Sequence, residues 1–405
     1  MSVGGVKGRR VLLLVPPVTY RATDFVVAAN RLELDIVIGS DGALPLGGNP
    51  VVRVDPADIE ASVRRLLATV GVVDAVVAVD ADMLPLAARM GAALNLAGNT
   101  PESVAVANDK AIQRRLWLAA GIAQPNFQIV PVDAADRSIG FPCVVKPVSL
   151  SASRGVMRAD DEAGLSAAVT EIRAILAETG GADEPILLEE YVPGWELSID
   201  GLLTDGALSV TAVFDKPDTP AGPTFEETLL VTPSRLPAPT LAAAIALAER
   251  AARALGLRQG PIHAELRIDE RSGAVRPVML ELAARSIGGL CSRSLRFLEG
   301  TSLEMLILLN ALGVTVDLGQ PTGASGVLML PVERGGVLQA VEGQAEARAV
   351  AGITGLSITI PLGHAVRPLP WGDRYLGFIF AEGGDASEVE SALHRARDRL
   401  RPVIV

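Results

Sequence analysis

Short, continuous apolar runs alternate with stretches of helical period through the first hundred residues. The runs are RVLLLV (10–15), LDIVIG (34–39), VVRV (51–54), DAVVAV (74–79) and AALNL (92–96). Unbroken apolarity over such short runs predicts strands buried on both faces. Their alternation with helices predicts a parallel sheet of βαβ units. Between the runs lie RATDFVVAANRL and DPADIEASVRRLLATVG. In the second, Asp55 is placed to cap, Pro56 suits the first helical position and Gly71 follows the last turn. The turn after the first strand reads VPPVTYRA and lacks the G-x-G-x-x-G that cradles a dinucleotide pyrophosphate, so neither NAD nor FAD is expected.

The stretch NTPESVAVANDKAIQRRLWLAAGIAQPNF (99–127) predicts a helix capped by Asn108 or Asp109 and ended by Gly121. Beyond Phe141 the pattern turns β-rich. PCVVKPV reads as a strand, SLSASRGVMRA as a loop of small residues leading into another, and DDEAGLSAAVTEIRAILAETGG as a long helix. PILLEEYVPGWELSIDGLL holds two strands around Pro193-Gly194, and ALSVTAVFDKPD a further one. After the Ala-rich helix APTLAAAIALAERAARALGL come PIHAELRID and AVRPVMLELAA, then short strands and a terminal helix, DASEVESALHRARDRL.

The length of 405 residues suits two or three domains. With 49% hydrophobic but only 3% aromatic residues, Ala, Val, Leu and Ile must fill the cores. A formal net charge of -11 argues against a nucleic-acid surface, although not against a local basic pocket. Two cysteines are too few for a disulfide framework and fit a reduced, cytoplasmic setting. The run from Val11 to Val15 ends in two prolines and reads as a strand rather than a leader, and no run approaches the roughly 20 apolar residues of a membrane span.

Three constellations carry candidate chemistry. If Glu265 and Glu281 face each other on adjacent antiparallel strands, the turn centres on Gly273, a residue suited to it. Two facing carboxylates repel unless a proton or cation lies between them, and oxygen-only ligation suits Mg²⁺ or Mn²⁺. Arg285 follows on the same stripe. The plainer alternative is an ion-pair lattice, Glu281 with Arg267 and Glu265 with Arg285. In FPCVVKPVSLSASRGV (141–156), Lys146 ends an apolar strand, and Ser149, Ser151, Ser153 and Gly155 form a loop whose amides can approach phosphates. Lys110, in the first turn of its helix, either is solvated or joins free N–H groups in holding an anion. In LLEEYVPGWELSID (187–200), Glu189 and Glu196 flank a turn, either as a nucleotide hinge or as solvated acids of a hairpin.

In order and separation these groups resemble the ATP-grasp superfamily of ADP-forming carboxylate–amine ligases. The run E-L-A-A-R-S-I-G-G is similar to the branch of L-amino acid ligases, the dipeptide synthetases. The resemblance implies an α/β and α+β fold. It has a Rossmann-like domain (1–100), an ATP-grasp domain (101–315, with a lid at about 130–195) and a β-rich C-terminal domain (316–405). It implies that Lys110 and Lys146 contact phosphates and that Ser151, Ser153 and Gly155 lie in the loop folding over them. Glu189, with the backbone of Glu190, Tyr191 and Val192, would recognise adenine, and Glu196 the ribose. Glu265 and Glu281 would bridge Mg²⁺ or Mn²⁺, two ions in the family pattern, and Arg285 would steady an acyl phosphate. Many members carry Asn where this chain has Ala283, which leaves the number of ions open.

In FDKPDTPAGPTFEETLL, Lys216 and Glu227 stand where that branch faces its substrate. Glu227 would hold an ammonium, and Arg293, beyond Gly288-Gly289, a carboxylate; both are equally readable as exposed charges. His263 reads as a supporting or core histidine rather than a ligand. Cys143 and Cys291 lack an activating partner. The expected activity joins a small carboxylate, such as an amino acid, to an amine at the expense of ATP. A bicarbonate-activating enzyme resembling biotin carboxylase and a non-catalytic ATP-binding regulator are the alternatives. No nucleic-acid or membrane partner is expected; a homodimer is possible.

Overall fold

The computed structural model describes residues 5–42, 48–131, 138–218, 221–271, 273, 275–295, 297, 300–316 and 323–405. Arg10–Leu14 lies at the centre of a four-stranded parallel sheet, flanked by Asp35–Ser40 and Ala75–Ala78, with Val51–Arg53 outermost. Four of the five apolar runs thus form the expected strands. The fifth, AALNL, does not: Leu84–Ala93 is a helix with proline in its first turn, and the alanines of the run finish it. Alanine favours helix, and no strand-forming β-branched residue opposes it here. The preceding helix is Ile59–Thr69, and Asp58 caps it by accepting from the Ala61 amide. Asp55, expected as the cap, instead accepts from Ala57 one turn earlier, at 2.9 Å. Asp109 caps Lys110–Ala119 as expected.

A second four-stranded sheet, antiparallel, is built from Phe127–Val130, Ile186–Glu190, Cys143–Pro147 and Met157–Ala159, and the helix Glu162–Thr179 packs on it. The third sheet has eight strands. It begins with the hairpin Gly260–Asp269 and Arg276–Ala283, continues through Trp195–Thr204, Ala207–Asp215 and Leu229–Thr232, and takes in Ala324–Leu330, Gly377–Gly383 and Ile353–Ile358. Ile186–Glu190 and Trp195–Thr204 therefore belong to different sheets, and Pro193-Gly194 joins the sheets rather than closing a hairpin. Gly194 has φ +119°, and a Cβ there would lie 2.0 Å from the Ile268 carbonyl, so only glycine passes. Among the described residues no helix is long and apolar enough to cross a membrane.

Candidate active site

Residues from these three sheets and the segments between their strands line a cavity of about 370 Å³, among them Lys110, Lys146, Glu189, Glu265, Glu281 and Arg285. Strand register puts Lys146 and Glu189 on one face of the second sheet: Val144 lies opposite Glu189, and Lys146 sits diagonally from it. The Lys146 ammonium is 2.6 Å from the Glu189 carboxylate, which also accepts from Arg114. Arg114 reaches it from the helix that starts at Lys110, lies over Trp117 and donates to the Leu280 carbonyl at 2.6 Å. All three charges are buried, so each needs its partners. Burial pushes the Glu189 carboxyl up, but Arg114 and Lys146 outweigh it and hold it below the usual range. Burial also lowers Lys146, with Glu189 opposing.

The hinge follows. The Glu190 amide donates to Asn126, the Tyr191 amide to Pro142, and Arg267 donates to the Val192 carbonyl at 2.7 Å. Three of the hinge polar groups expected to meet adenine are thus bonded within the protein. Tyr191 stacks on Phe225 with centroids 6.3 Å apart, and Arg158 lies over its ring at 4.4 Å. Glu196 binds Arg267 at 2.7 Å and Lys216 at 3.1 Å.

Glu265 and Glu281 are direct cross-strand partners, as the hairpin argument predicts, with a bulge just after Glu265. Their company differs from the ion-pair lattice considered above. Lys110 holds Glu281 at 3.2 Å and donates to the Leu150 carbonyl at 2.6 Å. Glu265 faces Lys216 at 3.5 Å and His263 at 3.3 Å. Carboxylate oxygens of Glu196, Glu227 and Glu265 all come within 4.8 Å of one another, with Lys216 bound to each. Burial, with Lys216 opposing and Glu265 and Glu196 adding, pushes Glu227 up to about 7. For Glu265 burial acts upward too, but Lys216 and His263 prevail and hold it well below the usual range. His263 lies opposite Ala283, its Nδ1 3.1 Å from Asp200, whose carboxylate also accepts from the Ile287 amide at 2.9 Å. Burial lowers its pKa, yet Asp200 lifts it to about 9. An imidazolium offers no lone pair to a metal, in keeping with a supporting histidine.

Residues 139–294 match the ATP-grasp domain, and residues 328–405 match the L-amino acid ligase C-terminal domain 2. The structure superposes on an L-amino acid ligase from Bacillus licheniformis with a TM-score of 0.82 and 25% identity, covering 98% of this chain and 99% of that one. The chain thus carries an ATP-grasp domain followed by an L-amino acid ligase C-terminal domain. A D-alanine–D-alanine ligase from Aromatoleum aromaticum is 31% identical over 44% of this chain and 56% of its own length. Carnosine synthase 1 of Gallus gallus is 36% identical over 40% of this chain. The chain spans only 18% of that synthase's length.

The ATP-grasp cavity collects most of the residues expected from sequence. Ser151, Ser153, Glu190, Tyr191, Val192, Glu196, Glu227, Gly288 and Gly289 line it. Three of the expected residues do not. Gly155 anchors the small-residue loop, its amide donating to the Pro370 carbonyl at 3.0 Å. Lys216 lies buried beneath the acids it binds. Arg293 faces away and makes two 2.9 Å bonds to Asp24. Cys291 lines the cavity, but burial pushes its thiol well up, which leaves it unreactive. Arg114 is a further site residue, and its sequence signal is its spacing: four residues after Lys110 and three before Trp117, it shares their helix face. Arg21, Asp80, Tyr375 and Phe378 also line the cavity, and nothing local in the sequence marks them.

Proposed function

We propose that this ATP-grasp protein is an ADP-forming carboxylate–amine ligase whose substrates are amino acids. One observation carries the reading: the facing pair Glu265 and Glu281, with Arg285 beyond it, opens on the same cavity as Lys110 and Lys146. A carboxylate oxygen of the first substrate attacks the γ-phosphorus of ATP, the bond to ADP breaks, and an acyl phosphate forms. The amine of the second substrate then attacks the carbonyl carbon. Phosphate leaves with the electron pair of the C–O bond, and the nitrogen loses a proton.

Lys110 and Lys146 bind the phosphates in competition with Glu281 and Glu189. Arg285 neutralises the developing charge. The loop 149–155, tied at Gly155 to the C-terminal segment, keeps water from the acyl phosphate. Glu227, at the cavity wall, is the candidate holder of a substrate ammonium. The donor set on the hairpin is carboxylate oxygen alone, which fits hard cations. Glu265 and Glu281 would hold Mg²⁺ (or Mn²⁺), two ions in this reading, and the metal would supply charge neutralisation at the phosphates. The Ala283 side chain offers no oxygen, so water would take that place.

The proposal also takes residues 1–100, 101–315 and 316–405 as the three domains, with the lid at about 130–195. The two unpaired, buried cysteines are consistent with a cytoplasmic enzyme. The test is phosphate release from ATP and Mg²⁺ with all twenty amino acids, singly and in pairs, and mass spectrometry of the products. Release that requires amino acids, with a product one water lighter than its parents, is expected. ATP binding without stimulated release by any pair would overturn the substrate class.

A further inference from the structure

Aromatic residues are scarce in this chain, yet they gather at the cavity. Only 8 Phe, 3 Trp and 3 Tyr occur in 405 residues, and all three tyrosines line this one site, together with Phe225 and Phe378. They fall into two clusters. Tyr191 and Phe225 stack at the hinge and belong to the nucleotide end. Tyr20, Tyr375 and Phe378 form the other: Phe378 meets Tyr20 edge-on at 6.0 Å and Tyr375 edge-on at 6.1 Å, and stacks on Phe380 at 6.5 Å. Phe378 and Phe380 are buried, whereas Tyr20 and Tyr375 are half-buried at the wall.

This second cluster is continuous with the reactive end of the site. A Cβ added to Gly289 would lie 2.7 Å from the Phe378 ring, so the ring rests on the Gly289 backbone. A Cβ on Gly288 would lie 3.9 Å from the Arg285 guanidinium. The path Arg285, Gly288, Gly289, Phe378 thus runs from the charge that steadies an acyl phosphate to the aromatic floor. Leu230, Ile287, Met329 and Cys291 line the cavity as well, so apolar surface is ample at this end.

We infer that Tyr20, Tyr375 and Phe378 form the side-chain pocket of the carboxylate-donating substrate, and that this substrate is an amino acid with a large apolar or ring-bearing side chain. Ring faces and apolar atoms stabilise such a side chain by burial and by edge-to-face contact, and offer much less to a small or anionic one. The donor's carboxylate lies by Arg285 and its side chain extends along the two glycines onto the rings. The inference rests on the ligase reading above.

The test compares kcat/KM for phosphate release with phenylalanine, tyrosine and leucine against alanine, glycine and aspartate, and sequences the dipeptide by mass spectrometry. Large apolar donors are expected to exceed alanine by about tenfold or more, and to occupy the N-terminal position of the product. In Tyr20→Ala and in Tyr375→Ala, each made separately, that ratio is expected to fall about tenfold. In Tyr375→Phe it should be kept. Equal rates with alanine and phenylalanine in the wild type, or an unchanged ratio in both alanine variants, would overturn the pocket. A large side chain found only at the C-terminal position would overturn its assignment to the donor. Phosphate release that needs no amino acid would instead strike at the ligase reading itself, so the two failures are distinguishable.

Discussion

At the end of the cavity proposed to hold the nucleotide, buried and half-buried charges hold one another: Lys146 and Arg114 on Glu189, Lys110 on Glu281, Lys216 among three acids. At the far end the rings of Tyr20, Tyr375 and Phe378 do the lining. The two ends respond differently to change. A buried ion network is costly to desolvate, and removing one member leaves its partner uncompensated. A half-buried ring contributes mainly area, and its loss is graded. On the ligase reading proposed above, chemistry common to all turnovers would sit where substitution is punished, and selectivity where substitution is tolerated.

The largest effect expected at the charged end is catalytic. Glu281→Gln keeps the volume but removes a carboxylate from the facing pair and the partner of Lys110. Phosphate release should fall about 10²–10³-fold, with the circular dichroism spectrum unchanged. Turnover at the wild-type rate would remove the acid pair from the mechanism. Chelation by EDTA should stop release in the parent protein, and excess Mg²⁺ should restore it.

Next comes stability. Arg114→Ala strips Glu189 of one of its two cations and leaves the Leu280 carbonyl without its donor, all in a buried setting. A loss of about 3–5 kcal/mol in urea unfolding is expected. Tyr20→Ala, at the other end, should lose about 1–2 kcal/mol. Equal losses would erase the contrast between the two ends.

A further effect is expected at Glu226, which adjoins Phe225 and Glu227 in sequence but lies outside the cavity lining. Burial, aided by Glu333, raises its pKa to about 7. The folded state therefore favours the protonated form. The stabilisation is full below the unfolded value near 4.5 and is lost as pH rises through about 7. Because the group is half-exposed, solvent screening cuts the effect to about 1–2 kcal/mol. Glu226→Gln should flatten that part of the stability profile between pH 4.5 and 7, as followed by urea titrations at each pH.

The same contrast explains what could be read from sequence. Glu265 and Glu281 sit in strands joined by a short turn, so that facing pair could be placed by counting, whereas a strand and a helix separate the strands of Lys146 and Glu189 and no turn sets their register. Charged residues inside apolar runs stand out because burial without a partner is expensive. Phe378 carries no such signal, since a phenylalanine in an apolar strand looks like core, and it is also core here. Tyr20 and Tyr375 lie 355 positions apart and meet through tertiary packing alone. Asp58 displaced Asp55 as a helix cap because neighbouring Asp residues are equivalent until the backbone chooses one.

The smallest effect expected is at Arg293. Sequence position offered it as a holder of substrate carboxylate, but its guanidinium is spent on Asp24 of the helix Ala22–Arg31, outside the cavity lining. The pair is partly exposed, at 40% and 20% of the side chains, and such pairs contribute about 0–1 kcal/mol. Arg293→Ala should therefore change kcat/KM for the preferred amino acid by no more than about threefold, a barrier change within that range. It should shift urea unfolding by less than about 1 kcal/mol. A tenfold rise in KM with kcat held would place Arg293 back at the substrate. It would also show that Asp24 releases it during turnover, so that the boundary between the two ends of the cavity moves when substrate binds.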